Sequence, residues 1–150
     1  MLRAIQDFFR NRIDVAGPDG HDEHSLRLAT AALLFEMQRA DFDDHEEERA
    51  VLERVLRGTF DLSKEETREL ARLAQREAED SVSLHQFTSL INQRFSPDEK
   101  VRVVEMLWQV AFADGRIDRY EEALLRKIAD LIYVPHRDFI QARHRVQEAQ

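Results

Sequence analysis

Apolar residues recur along most of this chain at the three- and four-residue spacing of amphipathic helices. The first such segment predicts a short helix over 1–14, with apolar positions at Leu2, Ile5, Phe8, Phe9 and Ile13. Later segments predict helices near 22–40, 44–57, 64–79, 84–94 and 97–113, and two more that begin at Asp118 and Pro135. Because no segment carries a convincing strand pattern, the sequence predicts a single all-α domain of about eight helices.

Several of these helices carry start and stop signals. In a capping box, a Ser side chain and a Glu or Gln three residues later bond each other's exposed backbone N–H groups. The predicted boxes are Ser63-x-x-Glu66, Ser83-x-x-Gln86 and Ser96-x-x-Glu99. Gly58 stands where a glycine ends many helices, so we expect the third helix to stop there. The 97–113 helix, which contains Trp108, is apolar on most sides and is expected at the centre of the core.

Two parts of the chain are similar to each other. Residues 34–55 align without a gap on residues 107–128, with an offset of 73 residues. Six positions are identical: Leu34, Ala40, Asp41, Glu48, Ala50 and Leu52. Each copy reads as a long helix, an acidic turn and a second helix. We therefore expect a pseudo-two-fold arrangement of helical hairpins, with repeat halves at about 22–80 and 97–147.

The composition narrows the functional classes. The formal net charge of −8 disfavours general binding to nucleic acids and favours cations or basic protein partners. The chain has no cysteine, which excludes disulfides, thiolate zinc sites and cysteine nucleophiles. No apolar run approaches the roughly 18 residues of a membrane span, and charged residues interrupt any signal-peptide core. We expect a cytoplasmic protein with a protein partner and no membrane insertion.

The second copy of the repeat carries a recognisable segment. After an apolar helix the chain reads Ala113-Asp114-Gly115-Arg116-Ile117-Asp118-x-x-Glu121-x-x-Leu124-Leu125. This segment resembles the "ADGxID..E" signature of TerB-like domains, which include the tellurite-resistance TerB proteins and the N-terminal region of the DjlA co-chaperones. The resemblance covers roughly 22–147, with a degenerate first copy at Ala40-Asp41. It implies an all-helical fold and acidic residues that bind a divalent cation.

The resemblance also implies particular metal ligands. Three match the signature directly and two match it in the first copy: Asp114, Asp118, Glu121, Asp41 and Glu48. In the first copy His45 stands at the position of Asp118, which is a departure from the family pattern. Since calcium takes several carboxylate and carbonyl oxygens at about 2.3–2.6 Å, calcium is the expected ion, with zinc less favoured. The spacing is not that of an EF-hand loop, because the glycine comes second.

Helix capping explains part of the same pattern without an ion. Asp118 and Glu121 form a capping box, and negative charge at a helix N-terminus is favoured by about 0.3–1 kcal/mol. Capping does not account for Asp41 or Asp114, because both precede the caps. The metal hypothesis therefore depends on these two residues, and capping and metal binding are compatible with each other.

The histidines offer a second possible metal site. His21 and His24 are spaced to share one helix face, as a zinc pair would be. No further soft ligand is evident, so a solvated helix start is the favoured interpretation. His45 could ligate a transition metal beside Asp41, but an exposed residue of the acidic turn is the favoured interpretation.

Two functional hypotheses remain. The first is a non-enzymatic domain that resembles stress-response and tellurite-resistance proteins and binds a divalent cation at its acidic turns. The alternative is a metal-free acidic module that docks a basic protein surface in a stress-response or membrane-associated complex. The chain has no Gly-x-Ser-x-Gly, glycine-rich phosphate loop or His-Glu-x-x-His motif, so an enzyme is not expected.

Overall fold

The structure is a computed structural model that describes residues 3–16, 20–41, 46–79, 84–113 and 119–149. The described side chains do not include those of residues 16, 39–41, 46–48, 77–79 and 119–121. Helices account for nearly all of these ranges, and they contain no β-strand. The prediction of an all-α fold with about eight helices is confirmed.

The helices follow the predicted order with small differences at their ends. A π-helical turn at Phe9–Ile13 and a 3-10 turn at Asp14–Ala16 continue the first helix. The eight α-helices are α1 Arg3–Phe8, α2 Glu23–Asp41, α3 Glu46–Phe60, α4 Lys64–Glu79, α5 Leu84–Arg94, α6 Pro97–Ala113, α7 Arg119–Leu131 and α8 His136–Glu148.

Two helices, α2 and α6, form the centre of the core. Every side chain from Leu28 to Met37 on α2 is buried, so the rest of the domain surrounds this part of the helix. On α6 seven side chains between Val103 and Ala111 are buried, as the sequence predicted for this helix. Since both helices are enclosed, their ends are the parts that can carry a surface site.

Helices α2 and α6 run in the same general direction. Near their starts Arg102 of α6 pairs with Glu23 of α2. Seven residues further along α2, the Thr30 Oγ1 atom lies 3.5 Å from Sδ of Met106, four residues further along α6. The contacts advance together along both helices, so the two C-terminal ends point to the same end of the domain.

Helix α8 covers α6 from the other side and runs antiparallel to it. The indole Nε1 of Trp108 donates to the backbone oxygen of Phe139 at 3.1 Å, and the two rings pack with centroids 4.9 Å apart. Earlier on α6, Glu105 pairs with Arg145, which lies later on α8. Trp108 is fully buried and its N–H is satisfied, so its predicted place in the core is confirmed.

The end of α3 differs from the prediction. The helix does not stop at Gly58 but continues through it to Phe60. Asp61 then takes the left-handed conformation that ends the helix, with φ of 56°. Aspartate tolerates this conformation better than most residues, so a non-glycine residue can end α3.

A second non-glycine residue ends α7. Tyr133 has a φ of 60°, and its N–H donates to the Asp130 carbonyl at 3.1 Å. The N–H of Val134 donates to the Ala129 carbonyl at 2.9 Å, which completes a Schellman motif. None of the described helices is long and apolar enough to cross a membrane.

The position of Gly58 gives a test of the fold. A Cβ built there meets no atom within 4 Å, and the residue lies inside a regular helix. Gly58→Ala should therefore raise the free energy of unfolding by about 0.5–1 kcal/mol, because it lowers the entropy of the unfolded chain. Urea unfolding followed by circular dichroism measures this.

The matched control is Gly20→Ala. Gly20 has a φ of 141°, a backbone conformation that is strained in residues with a side chain. The Gly20→Ala variant should therefore unfold at a lower urea concentration than the wild type. A Gly58→Ala protein less stable than the wild type would contradict the helical assignment of this position.

Candidate functional site

Three of the five predicted metal ligands lie on helices that the structure describes. Asp114 and Asp118 lie outside the described residues, as does His45. Asp41 is the last residue of α2, while Glu48 and Glu121 lie in the first turns of α3 and α7, but none of these three side chains is described. Among the described residues no group of three or more His, Asp or Glu side chains is arranged to hold a metal ion.

The backbone nevertheless places the ends of α2 and α6, which directly precede the acidic turns in the sequence, at one end of the domain. From the Thr30–Met106 contact, α2 continues eleven residues to Asp41 and α6 continues seven residues to Ala113. At about 1.5 Å per residue these lengths are roughly 16 Å and 10 Å. The two helices run in the same direction, so along the helix axes their ends differ by only about 6 Å. Each acidic turn begins at one of these ends.

The sequence analysis missed a buried carboxylate near this end. Glu36 lies on α2 five residues before Asp41, and it is 1% exposed. Glu36 directly follows the apolar residues Leu33, Leu34 and Phe35 and precedes Met37. A charged residue within such an apolar segment was the one sequence signal that could have indicated a buried carboxyl group. Its carboxyl group therefore lies little more than one helical turn before the end of α2.

The opposite end of the domain contains a well-defined polar cluster, which we call the N-terminal clamp: Asp14, His21, His24, Glu66 and Glu99. Two of the predicted capping boxes form its base. Ser96 and Ser63 each donate a backbone N–H to a Glu oxygen, Oε1 of Glu99 at 2.9 Å and Oε1 of Glu66 at 2.8 Å. These two boxes are confirmed, while Ser83 of the third lies outside the described part of the chain.

Each of these glutamates uses its second oxygen to hold a histidine. Oε2 of Glu99 lies 2.9 Å from Nδ1 of His21 and also accepts the backbone N–H of His21 at 2.8 Å. Oε2 of Glu66 lies 2.6 Å from Nε2 of His24. Each carboxylate thus caps its own helix and also binds a histidine at the start of α2 or just before it. As a result the starts of α2, α4 and α6 are joined at one end of the domain.

His21 is held on both ring nitrogens. Its Nε2 atom lies 2.8 Å from Oδ1 of Asp14, opposite the contact of Nδ1 with Glu99. The side chain is 6% exposed, and its ring packs on Phe95 with centroids 4.6 Å apart. The interpretation of His21 as part of a solvated helix start is therefore wrong: two carboxylates and an aromatic ring enclose it.

His24 has a more open environment. Its side chain is 50% exposed, and its contact with Glu66 is the one polar contact described for it. His21 and His24 bind different carboxylates on different helices, so in the described structure they do not act as a zinc pair. The remaining described histidines, His85, His136 and His144, are exposed.

Capping and the histidines lower the pKa of both glutamates. Burial alone would raise the pKa of Glu99, but the backbone N–H of Ser96 and the bonds from His21 outweigh it. Burial alone would likewise raise the pKa of Glu66, but the bonds from Ser63 and His24 outweigh burial and lower the pKa. Asp22 caps α2 by accepting the Ser25 N–H at 2.7 Å, and this bond lowers its pKa as well. All three carboxylates are therefore held in their charged form.

Comparison with known proteins gives a family. The family model described as "Tellurite resistance protein TerB" matches residues 27–144, which include α3 to α7 and most of α2 and α8. No curated protein and no solved structure matches the chain.

Because the N-terminal clamp holds Glu99 in its charged form, we expect the folded protein to lose stability in acid. The pKa of Glu99 is lower in the folded protein than its ordinary value of 4.5. Its contribution is therefore complete above about pH 4.5 and disappears as the pH falls through the folded-state pKa. Glu99→Gln should lower the free energy of unfolding by about 1.5–3 kcal/mol at neutral pH, a size typical of hydrogen bonds to a charged group. Urea unfolding at a series of pH values measures both effects.

The control is Asp98→Asn, which removes the same charge from the neighbouring exposed residue. It should lower the free energy of unfolding by at most about 1 kcal/mol, the contribution of a negative charge in a first helical turn, and so by less than Glu99→Gln. A difference between the wild type and Glu99→Gln that stays constant from pH 7 to pH 3 would contradict the charged state of Glu99.

Proposed function

The chain belongs to the TerB family, and from this premise we propose that it is a non-enzymatic domain that binds a divalent cation at its two acidic turns. The observation that carries the proposal is the parallel arrangement of α2 and α6. It supports the proposal because the C-terminal ends of both helices lie at the same end of the domain, offset by about 6 Å along the axes.

Helix electrostatics supports a cation at this end. The C-terminus of a helix carries about half a negative charge and favours cations. Asp41 is the last residue of α2, and Asp114 directly follows the last residue of α6. A carboxylate at such a place repels the helix end, and capping gives no reason for it. A bound cation would neutralise both the carboxylates and the two helix ends.

The acids on the other side of each turn have a different relation to their helices. Glu48 and Glu121 lie in the first turns of α3 and α7, where the helix favours negative charge. They can therefore serve the helix and the ion together. We assign Asp114, Asp118 and Glu121 as the main ligands and Asp41 and Glu48 as secondary ones.

Carboxylate oxygens favour a hard cation. Calcium accepts six to eight oxygen ligands in flexible geometry, which suits ligands from two turns, so calcium is the first choice and zinc the second. The bound ion would fix the two turns relative to each other and give a protein partner a rigid acidic surface. If no ion binds, the remaining function is the metal-free acidic module, whose binding to a basic partner weakens with salt.

Calorimetric titration with calcium, zinc and magnesium tests the proposal. The wild type should release or absorb heat with calcium at micromolar to millimolar concentration, and Asp114→Asn should weaken the affinity at least tenfold. Binding to the folded state should also raise the thermal midpoint, because a ligand at 100 times its Kd adds about 2.7 kcal/mol of stability.

Asp130→Asn is the matched control, since it removes one exposed carboxylate at the other end of α7 and should bind calcium as the wild type does. Asp41→Asn tests whether the turns share one ion. If they do, Asp41→Asn also weakens binding, and the double variant shows coupling. No heat and no thermal shift with any of the three ions would exclude a cation site.

A further inference from the structure

The N-terminal residues 3–16, which we call the strap, precede the family match that begins at residue 27. The strap consists of α1 and the two turns that follow it. Four of its apolar side chains are buried in the domain: Ile5, Phe8, Phe9 and Ile13. The ring of Phe9 packs on Phe87 and Phe95, with centroids 5.6 Å and 6.4 Å away. The strap therefore covers an apolar groove of the TerB domain.

Polar contacts hold the end of the strap. Arg12 makes a two-bond ion pair with Glu69 of α4, at 3.1 Å and 2.7 Å. Asp14 pairs with Arg94 through one oxygen and with His21 through the other. His21 in turn binds Glu99, so it connects the strap to the start of α6.

The two bonds of His21 require two protons. A neutral imidazole carries one N–H, whereas both ring nitrogens here lie within 2.9 Å of carboxylate oxygens, which only accept. The imidazolium donates to both. After loss of one proton, a nitrogen lone pair faces a carboxylate in a site where the side chain is 6% exposed and water cannot easily intervene.

We propose that His21 is a proton-operated latch: as an imidazolium it closes the strap over the apolar groove, and its deprotonation favours opening of the strap. Opening uncovers the groove around Phe87 and Phe95. The cation site of the proposed function lies at the other end of α2, so the latch is independent of it.

Several charged groups surround the latch, and they set its working range. Asp14 faces His21 from the strap and Glu99 faces it from α6. Arg94 of α5 neutralises part of the charge of Asp14. On its own segment, His21 is followed by Asp22, which caps α2, and Glu23, which pairs with Arg102 of α6. His24 is directed to Glu66 of α4.

The latch works within a pH window. At its alkaline limit the imidazolium loses one of the two protons that its bonds to Asp14 and Glu99 require. At its acid limit the carboxylates become protonated. The lowered pKa of Glu99 places that limit below its ordinary value of 4.5. Closure of the strap should be greatest between these limits.

Hydrogen exchange measures opening of the strap. The exchange rates of its amides, corrected for their intrinsic pH dependence, should rise about tenfold from about pH 6 to about pH 8.5, relative to amides of α6. His21→Gln should exchange fast at both pH values, without the pH dependence. His24→Gln is the matched control, since His24 binds a single carboxylate, and its strap should behave as in the wild type.

Asp14→Asn gives a second and opposite test. An Asn amide can donate to Nε2, so a neutral His21 can bind residue 14 and still donate Nδ1–H to Glu99. Its strap should therefore stay closed at about pH 8.5. The proposal is overturned if the wild-type strap is equally protected at both pH values. It is also overturned if His21→Gln keeps the pH dependence, or if Asp14→Asn opens at high pH as the wild type does.

Discussion

The structure depends on two carboxylates that each serve two purposes. Glu66 and Glu99 cap their own helices with one oxygen and hold a histidine with the other. These bonds bring the starts of α2, α4 and α6 together, and the direction of each helix then follows. Since a buried carboxylate is stable only when it is well bonded, the histidines and the capping serines keep this junction charged and closed. The parallel course of α2 and α6 is the main consequence.

The sequence predicted the parts of this junction that are local. A capping box joins residues three apart, so Ser63, Glu66, Ser96 and Glu99 could be assigned from spacing alone. The second oxygen of each Glu has no local signature. The histidine that contacts Glu99 is His21, which lies 78 residues away along the chain, so no local spacing indicated this contact. The same limit applies to Gly58: the helix continued past it because the left-handed position fell on Asp61.

The candidate cation site likewise has a part that the sequence predicted and a part that depends on tertiary contacts. The internal repeat and the family signature identified Asp41 and Asp114 as equivalent positions, and both are at helix C-termini, where a carboxylate is unfavourable without a counter-charge. The relative position of the turns is not a property of either turn. It depends on the parallel course of α2 and α6, which only tertiary contacts such as that of Thr30 with Met106 reveal. Glu36 was missed because its burial depends on neighbours distant in sequence.

The clamp joins a segment before the family match to the family domain. Both histidines and the strap precede residue 27, whereas Glu66 and Glu99 lie within the matched region. A glutamate in a capping box is fixed by its own helix, and its outward oxygen is available without any change in the fold. A histidine needs only to reach that oxygen to attach a new segment. In this way His21 attaches the strap to the start of α6, through Asp14 on one ring nitrogen and Glu99 on the other.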